Sequence, residues 1–185
     1  MKTYVRAVVK DKNGKVIKDT GWKETNTLTR NFYAFLSAAM RDEPTPCTRV
    51  DGTDGEIYEP SYSGYEFMHA SVAAEHDERG LVVGTGTTEP TRNDYKLESQ
   101  IPHGTGAGQL YYRACDVVFG DDYIEVMRAF ENQSSDDITI NEVGIIVIYR
   151  DKLTGDYEWA LIARSLFTLT IPAGGSATLY YKISG

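Results

Sequence analysis

The second half of the chain is a succession of long runs in which apolar and polar residues alternate, each closed by a Gly- or Asp-rich turn. The runs are Leu110 to Phe119, Tyr123 to Phe130, Ile138 to Tyr149, Trp159 to Leu169 and Thr178 to Ile183. Gly120-Asp121-Asp122, Lys152-Leu153-Thr154-Gly155-Asp156 and Ala173-Gly174-Gly175 separate successive runs. Successive side chains in a strand point to opposite faces, so each run buries one face and wets the other. Connections this short suit antiparallel neighbours and exclude the helical crossovers that a parallel sheet needs. The pattern predicts a mainly β protein, an antiparallel β-sandwich of jelly-roll type, occupying 1–185 as a single domain.

The first half adds two elements to that frame. Tyr4 to Val9 alternates as a strand, Asp11-Lys12-Asn13-Gly14 supplies residues that tolerate a tight turn, and Val16-Ile17 begins the return strand. A single N-terminal amphipathic helix is predicted over 30–40. Thr29 stands where a hydroxyl caps free amides, and Phe32, Leu36 and Met40 recur every fourth residue. Phe35 and Ala39 widen this stripe, leaving Arg30, Asn31 and Arg41 to solvent. Asp42-Glu43-Pro44-Thr45-Pro46 stops the helix. Residues 42–66 then read as one long polar loop. Few aliphatic residues anchor it, so Tyr58, Tyr62 and Tyr65 are expected to order it against a neighbouring subunit. Residues 67–79 fit a short helix or an irregular strand equally well. Leu81-Val82-Val83 is a short apolar strand closed by Gly84-Thr85-Gly86.

Composition narrows the function. Lys and Arg total 19 against 27 Asp and Glu, a net charge of −8. An acidic chain without a basic run repels a phosphate backbone, so nucleic acid is not an expected partner. No stretch approaches the roughly 18 apolar residues of a membrane span, and the first residues turn charged too soon for a signal peptide. Synthesis in a reducing cytoplasm is therefore expected, with Cys47 and Cys115 as free thiols.

The motifs that suggest chemistry are weak. Gly84-Thr85-Gly86-Thr87-Thr88 has the glycines of a phosphate loop but no lysine, and Glu89-Pro90 follows where a helix would have to start. It reads as a tight glycine turn. His69, His76 and His103 do not form a metal-binding spacing. Asp51, Asp54 and Glu56 offer three oxygen donors on a Gly-containing bend, a weak calcium candidate that lacks the full EF-hand spacing. No nucleophile motif and no cofactor motif is present, so catalytic residues and cofactors are not expected. A carboxylate pair drawn from Asp121, Asp122 and Glu125 is the one opening for a hydrolase. Glu142 interrupts the apolar run Ile138 to Ile148. A buried carboxylate needs a partner, and Arg128 or Arg164 on neighbouring strands could pin strand register through it. Tyr111-Tyr112 and Tyr180-Tyr181 should each place one ring inside and one outside.

Several short stretches, in this order, resemble a family of tailed-phage and prophage virion structural proteins. They are Thr29-Arg30-Asn31-Phe32, then Gly80 to Thr88, Asp94 to Ser99 and Ile101-Pro102-His103-Gly104. Phe130-Glu131-Asn132, Ile138 to Gly144, Ile162-Ala163-Arg164, and Ile171 to Gly175 leading into Leu179 to Ile183 complete the series. The resemblance spans most of the chain, with 42–66 the least matched part. It implies a head-decoration, collar, tail or fibre-attachment subunit located in the virion. Such a subunit would bind copies of itself and other virion proteins as a homo-oligomer, with no catalytic residues. Two other functions compete with this expectation: a carbohydrate- or receptor-binding module of a phage tail, and a hydrolase.

Overall fold

A computed structural model describes residues 1–25, 27–58 and 67–185. In chain order the elements are β1 (Lys2–Lys10), β2 (Val16–Asp19), β3 (Lys23–Thr25), α1 (Arg30–Arg41), β4 (Thr45–Thr48) and β5 (Asp54–Ile57). There follow β6 (Gly80–Gly84), β7 (Tyr111–Phe119), β8 (Tyr123–Glu131), β9 (Ile138–Arg150), β10 (Tyr157–Ile171) and β11 (Ser176–Ser184). The fold is mainly β, its strand pairs are antiparallel, and α1 is the one helix among the described residues.

The alternating runs become the strands of two sheets. One runs β2-β1-β11-β8-β7, with β3 also pairing β1, and the other runs β10-β9-β6. Along β1, Val5, Ala7 and Val9 face inward, and across from them β11 buries Tyr181, Leu179 and Ala177. The inward residues of both sheets join in one contiguous apolar core, to which α1 adds Phe32 and Phe35. Both tyrosine pairs split as expected, with Tyr112 and Tyr181 fully buried and Tyr111 and Tyr180 half-buried. Cys47 and Cys115 are free, buried thiols.

The helix lies where expected but is rotated. Its buried residues are Asn31, Phe32, Phe35 and Ala38, while Leu36 is exposed and Met40 is 78 % exposed. The cause is Asn31, whose amide donates to Thr48 O at 2.8 Å and Leu161 O at 3.2 Å and accepts from Thr48 N at 2.9 Å. A polar side chain whose hydrogen bonds are met can sit inside. At about 100° per residue, turning Asn31 inward puts Met40 on roughly the opposite side. Thr29 occupies the N-cap position without capping, because its hydroxyl donates to Leu161 O on β10 at 2.6 Å. The helix closes on Asp42, which takes the left-handed conformation and donates its N–H to Ala38 O.

The single long loop expected at 42–66 is also corrected. Within it, β4 and β5 form a hairpin that docks on this chain's own β9–β10 turn, through Lys152 N to Glu56 O at 2.8 Å and the bridge Ile57 to Asp151. Ile57 is fully buried and anchors the hairpin. Tyr58 is half-buried. Tyr62 and Tyr65 lie outside the described residues. Residues 67–79 contain no helix. They run as irregular chain with single bridges from His69 to Ile148 and from Val72 to Cys115.

Candidate functional site

One heavily bonded polar cluster centres on Glu142, which is fully buried in β9. One carboxylate oxygen accepts from Gly86 N at 3.1 Å and Ser99 N at 2.8 Å. The other accepts from Glu98 N at 3.1 Å and Arg164 Nε at 2.8 Å. Arg164, on the adjacent strand β10, uses all three of its side-chain nitrogens, since it also reaches Asp94 at 2.7 Å and Thr88 O at 3.0 Å. Burial works against ionisation of Asp94, but the hydrogen bonds from Arg164 and Thr91 outweigh it and hold its carboxyl below the ordinary value. The ion pair expected between Glu142 and an arginine is therefore the one to Arg164.

This cluster also explains the glycines. Gly84 and Gly86 do not have positive φ, so a tight turn is not what requires them. A Cβ on either would lie 2.5 Å from a Glu142 carboxylate oxygen. The loop needs glycine so that its backbone can approach the carboxylate. Thr87 N and Thr88 N donate to Glu98, each at 2.8 Å, so the amides of this loop do hold anions, supplied by the chain's own carboxylates. The glycine spacing alone could have signalled close backbone approach. The identity of the partner, more than fifty residues away, was not visible.

Arg128 does not pair with Glu142. It is buried in β8 and donates to Arg113 O at 2.7 Å, Arg79 O at 3.1 Å, Leu81 O at 3.3 Å and His76 O. Its guanidinium lies 4.7 Å from the Tyr112 ring centroid. Burial lowers its pKa. A fork of five N–H donors suits this task, because it can gather several carbonyls that no strand partner satisfies. Arg128 thus ties the irregular segment before β6 to the large sheet.

A second cluster, missed from sequence, lies under the β4–β5 hairpin. Asp151 is fully buried and accepts from Arg49 Nε at 3.0 Å, Tyr149 Oη at 2.8 Å and Leu153 N at 2.7 Å. Cys47 Sγ lies 3.2 Å from Tyr149 Oη. Burial pushes the Cys47 thiol up to about 11 and raises Cys115 and Tyr149 as well, so neither thiol is a ready nucleophile. The calcium candidate does not assemble. Asp51 accepts from Thr53 N and Thr53 Oγ1 within its own turn, while Asp54 and Glu56 are drawn out along β5. Among the described residues no group of three His, Cys, Asp or Glu could hold a metal ion.

Asp151 predicts a pH effect. Burial opposes its charge, but hydrogen bonds from Arg49 and Tyr149 more than compensate and lower its pKa from 3.8. A carboxyl depressed in the folded state contributes stability that is full above the unfolded value and lost as pH falls through the folded one. Asp151→Asn should therefore flatten the loss of stability below about pH 4. Urea midpoints measured from pH 2 to pH 7 check this, and an unchanged acid slope counts against it.

The sheet edges also carry exposed apolar side chains. Cys115 in β7 exchanges both backbone hydrogen bonds with Val72, N to O at 2.8 Å and the reverse at 3.1 Å. Backbone direction alternates, so Val117 and Phe119 turn their N–H and C=O groups the same way, away from β8. Among the described residues nothing pairs with 116–119 on that side. Val117, Val118, Phe119 and Ile124 are exposed here, Phe119 by 83 %. Asp116, Asp121 and Asp122 are exposed beside them. Across the same sheet, β2 is an edge strand carrying exposed Val16 and Ile17 between Lys15 and Lys18. Asp121 and Asp122 stand at the hairpin tip, and Glu125 lies 3.8 Å from Lys182, an arrangement that does not bring two carboxylates to face each other across a pocket.

Comparison of the chain with family models, with curated proteins and with solved structures finds no match.

Proposed function

We propose that this chain is a non-catalytic structural subunit of a tailed-phage particle, a single-domain β-sandwich of jelly-roll type that packs head to tail with copies of itself. The observation that carries the assembly is the pairing of chemistries at the two ends of one sheet. The β7 edge presents backbone groups unpaired among the described residues, apolar Val117 and Phe119, and acidic Asp116, Asp121 and Asp122. The β2 edge presents apolar Val16 and Ile17 between lysines. A free strand edge is a template for another strand, and opposite charges select the partner edge over a like one. Joining β2 of one copy to β7 of the next is a heterologous contact, which closes into a ring or extends as a filament. The virion assignment draws on the resemblance of the ordered motifs from Thr29 to Ile183. It is also in keeping with polar clusters at Glu142 and Asp151 whose carboxylates are already taken up by the chain's own donors.

Light scattering on size-exclusion fractions tests the contact. Wild-type protein is expected to form oligomers, and both Val117→Lys/Phe119→Lys and Val16→Ser/Ile17→Ser, which strips the apolar side chains from the β2 edge without adding charge, are expected to be monomeric. An equimolar mixture of the two variants should form a dimer that grows no further, since each keeps one sound edge. A monomeric wild type, or a Val16→Ser/Ile17→Ser variant that still assembles, would overturn the proposal.

A further inference from the structure

We infer that the cleft at the start of α1 binds a carboxylate-bearing pyranose, an acidic sugar of the hexuronate or sialic acid class. The cleft is about 590 Å³ and lies between the first turn of α1, the β4–β5 hairpin and residues 92–94. That volume falls within the range of ordinary small-ligand sites, roughly 300–1,000 Å³.

Its charges distinguish it. Arg6, Arg41, Arg49, Arg113 and Arg164 each pair with a carboxylate, and Arg128 is taken up by carbonyls. Arg30 and Arg92 form no ion pair among the described residues, although acidic residues outnumber basic ones by 27 to 19. Both line this cleft, and Arg30 N donates to Arg92 O at 2.8 Å, which fixes the two residues as neighbours. Two guanidinium groups on one cleft wall, neither in an ion pair among the described residues, suit a carboxylate.

The remaining lining selects among anions. Asp54 and Asp94 are also on the wall. Carboxylates only accept hydrogen bonds, so Asp54 matches a ligand hydroxyl, Asp94 being already held by Arg164 and Thr91, and both repel a dianion such as phosphate. Asn93 can both donate and accept. Tyr33 is 44 % exposed, with the Arg92 guanidinium 5.7 Å from its ring centroid. An aromatic face beside polar side chains suits the C–H face of a pyranose. One anionic group, several hydroxyls and one apolar face together describe an acidic sugar. This inference is independent of the edge-to-edge assembly, since none of these residues lies on β2 or β7.

Titration of the full chain with glucuronate, N-acetylneuraminate, glucose and inorganic phosphate at constant ionic strength, followed by amide chemical shifts, tests it. At least one acidic sugar should saturate shifts around 30–34 and 92–94, with glucose and phosphate each weaker by about tenfold or more. Arg30→Ala and Arg92→Ala should each weaken that binding by about tenfold, and Arg41→Ala, an exposed arginine elsewhere on α1, should leave it unchanged. Equal binding of glucose would overturn the role of the arginines, and equal binding of phosphate would reduce the cleft to a general anion site. No saturable shift with any of the four, or no effect of the arginine variants, would also overturn the inference.

Discussion

Glu142→Ala should cost about 3–5 kcal/mol of stability, whereas Glu158→Ala should cost less than about 1 kcal/mol. The difference lies in what each removal leaves behind. Without the Glu142 side chain, the Arg164 guanidinium stays buried with one charge partner gone. The N–H groups of Gly86, Glu98 and Ser99 lose their acceptor at the same time. Removing one partner of a buried pair is costly because the other charge remains desolvated. Glu158 approaches Arg49 only to 3.9 Å, and Arg49 keeps its closer contact with Asp151 at 3.0 Å when Glu158 is lost. Urea denaturation of the two variants measures the gap, and the Glu142 variant should melt lower by on the order of 10 °C. Equal midpoints would show that the cluster does not hold β6, β9 and the 98–99 segment together.

Arg128→Met should be comparably damaging, at about 3 kcal/mol or more, for a different reason. Methionine fills much of the same space, so the loss is mainly polar. The carbonyls of His76, Arg79, Leu81 and Arg113 would lose their donor inside the protein. An unsatisfied buried acceptor costs about 1–3 kcal/mol, less whatever the chain recovers by admitting water. A double-mutant cycle separates this arginine from the other. Arg128 and Glu142 share no hydrogen-bond partner, so their effects should add to within about 0.5 kcal/mol. Arg164→Ala combined with Glu142→Ala should cost well under the sum of the two single losses. Coupling between residues 128 and 142 as large as that between 164 and 142 would refute the assignment.

The β-rich architecture was legible in the sequence because it depends on local order. Period-two alternation and glycine or aspartate turns located β1, β2, β6 and the five strands β7 to β11 to within about three residues. The same local signals marked α1 and the split of each tyrosine pair between inside and outside, though not which member is buried. Glu142 was also recognisable as a buried carboxylate, since a charge within an apolar strand demands a partner wherever the strand lies.

Tertiary structure alone decided which partner. Arg164 and Arg128 are chemically alike in sequence, and only the alignment of β10 beside β9 brings Arg164 to Glu142. The same holds for Asn31. An amphipathic stripe weighs Leu36 and Met40 as core, yet three hydrogen bonds offered by β4 and β10 make the asparagine the better buried residue and rotate the helix. The hairpin β4–β5 escaped notice because its anchor, the Asp151 cluster, is supplied from nearly a hundred residues further on. Side-chain alternation is written in consecutive residues, whereas hydrogen-bond partners for buried polar groups come from wherever the folded chain returns. Local pattern therefore determined most of the elements of this protein, and long-range polar contacts determined the rest, how they are joined and which surfaces remain open.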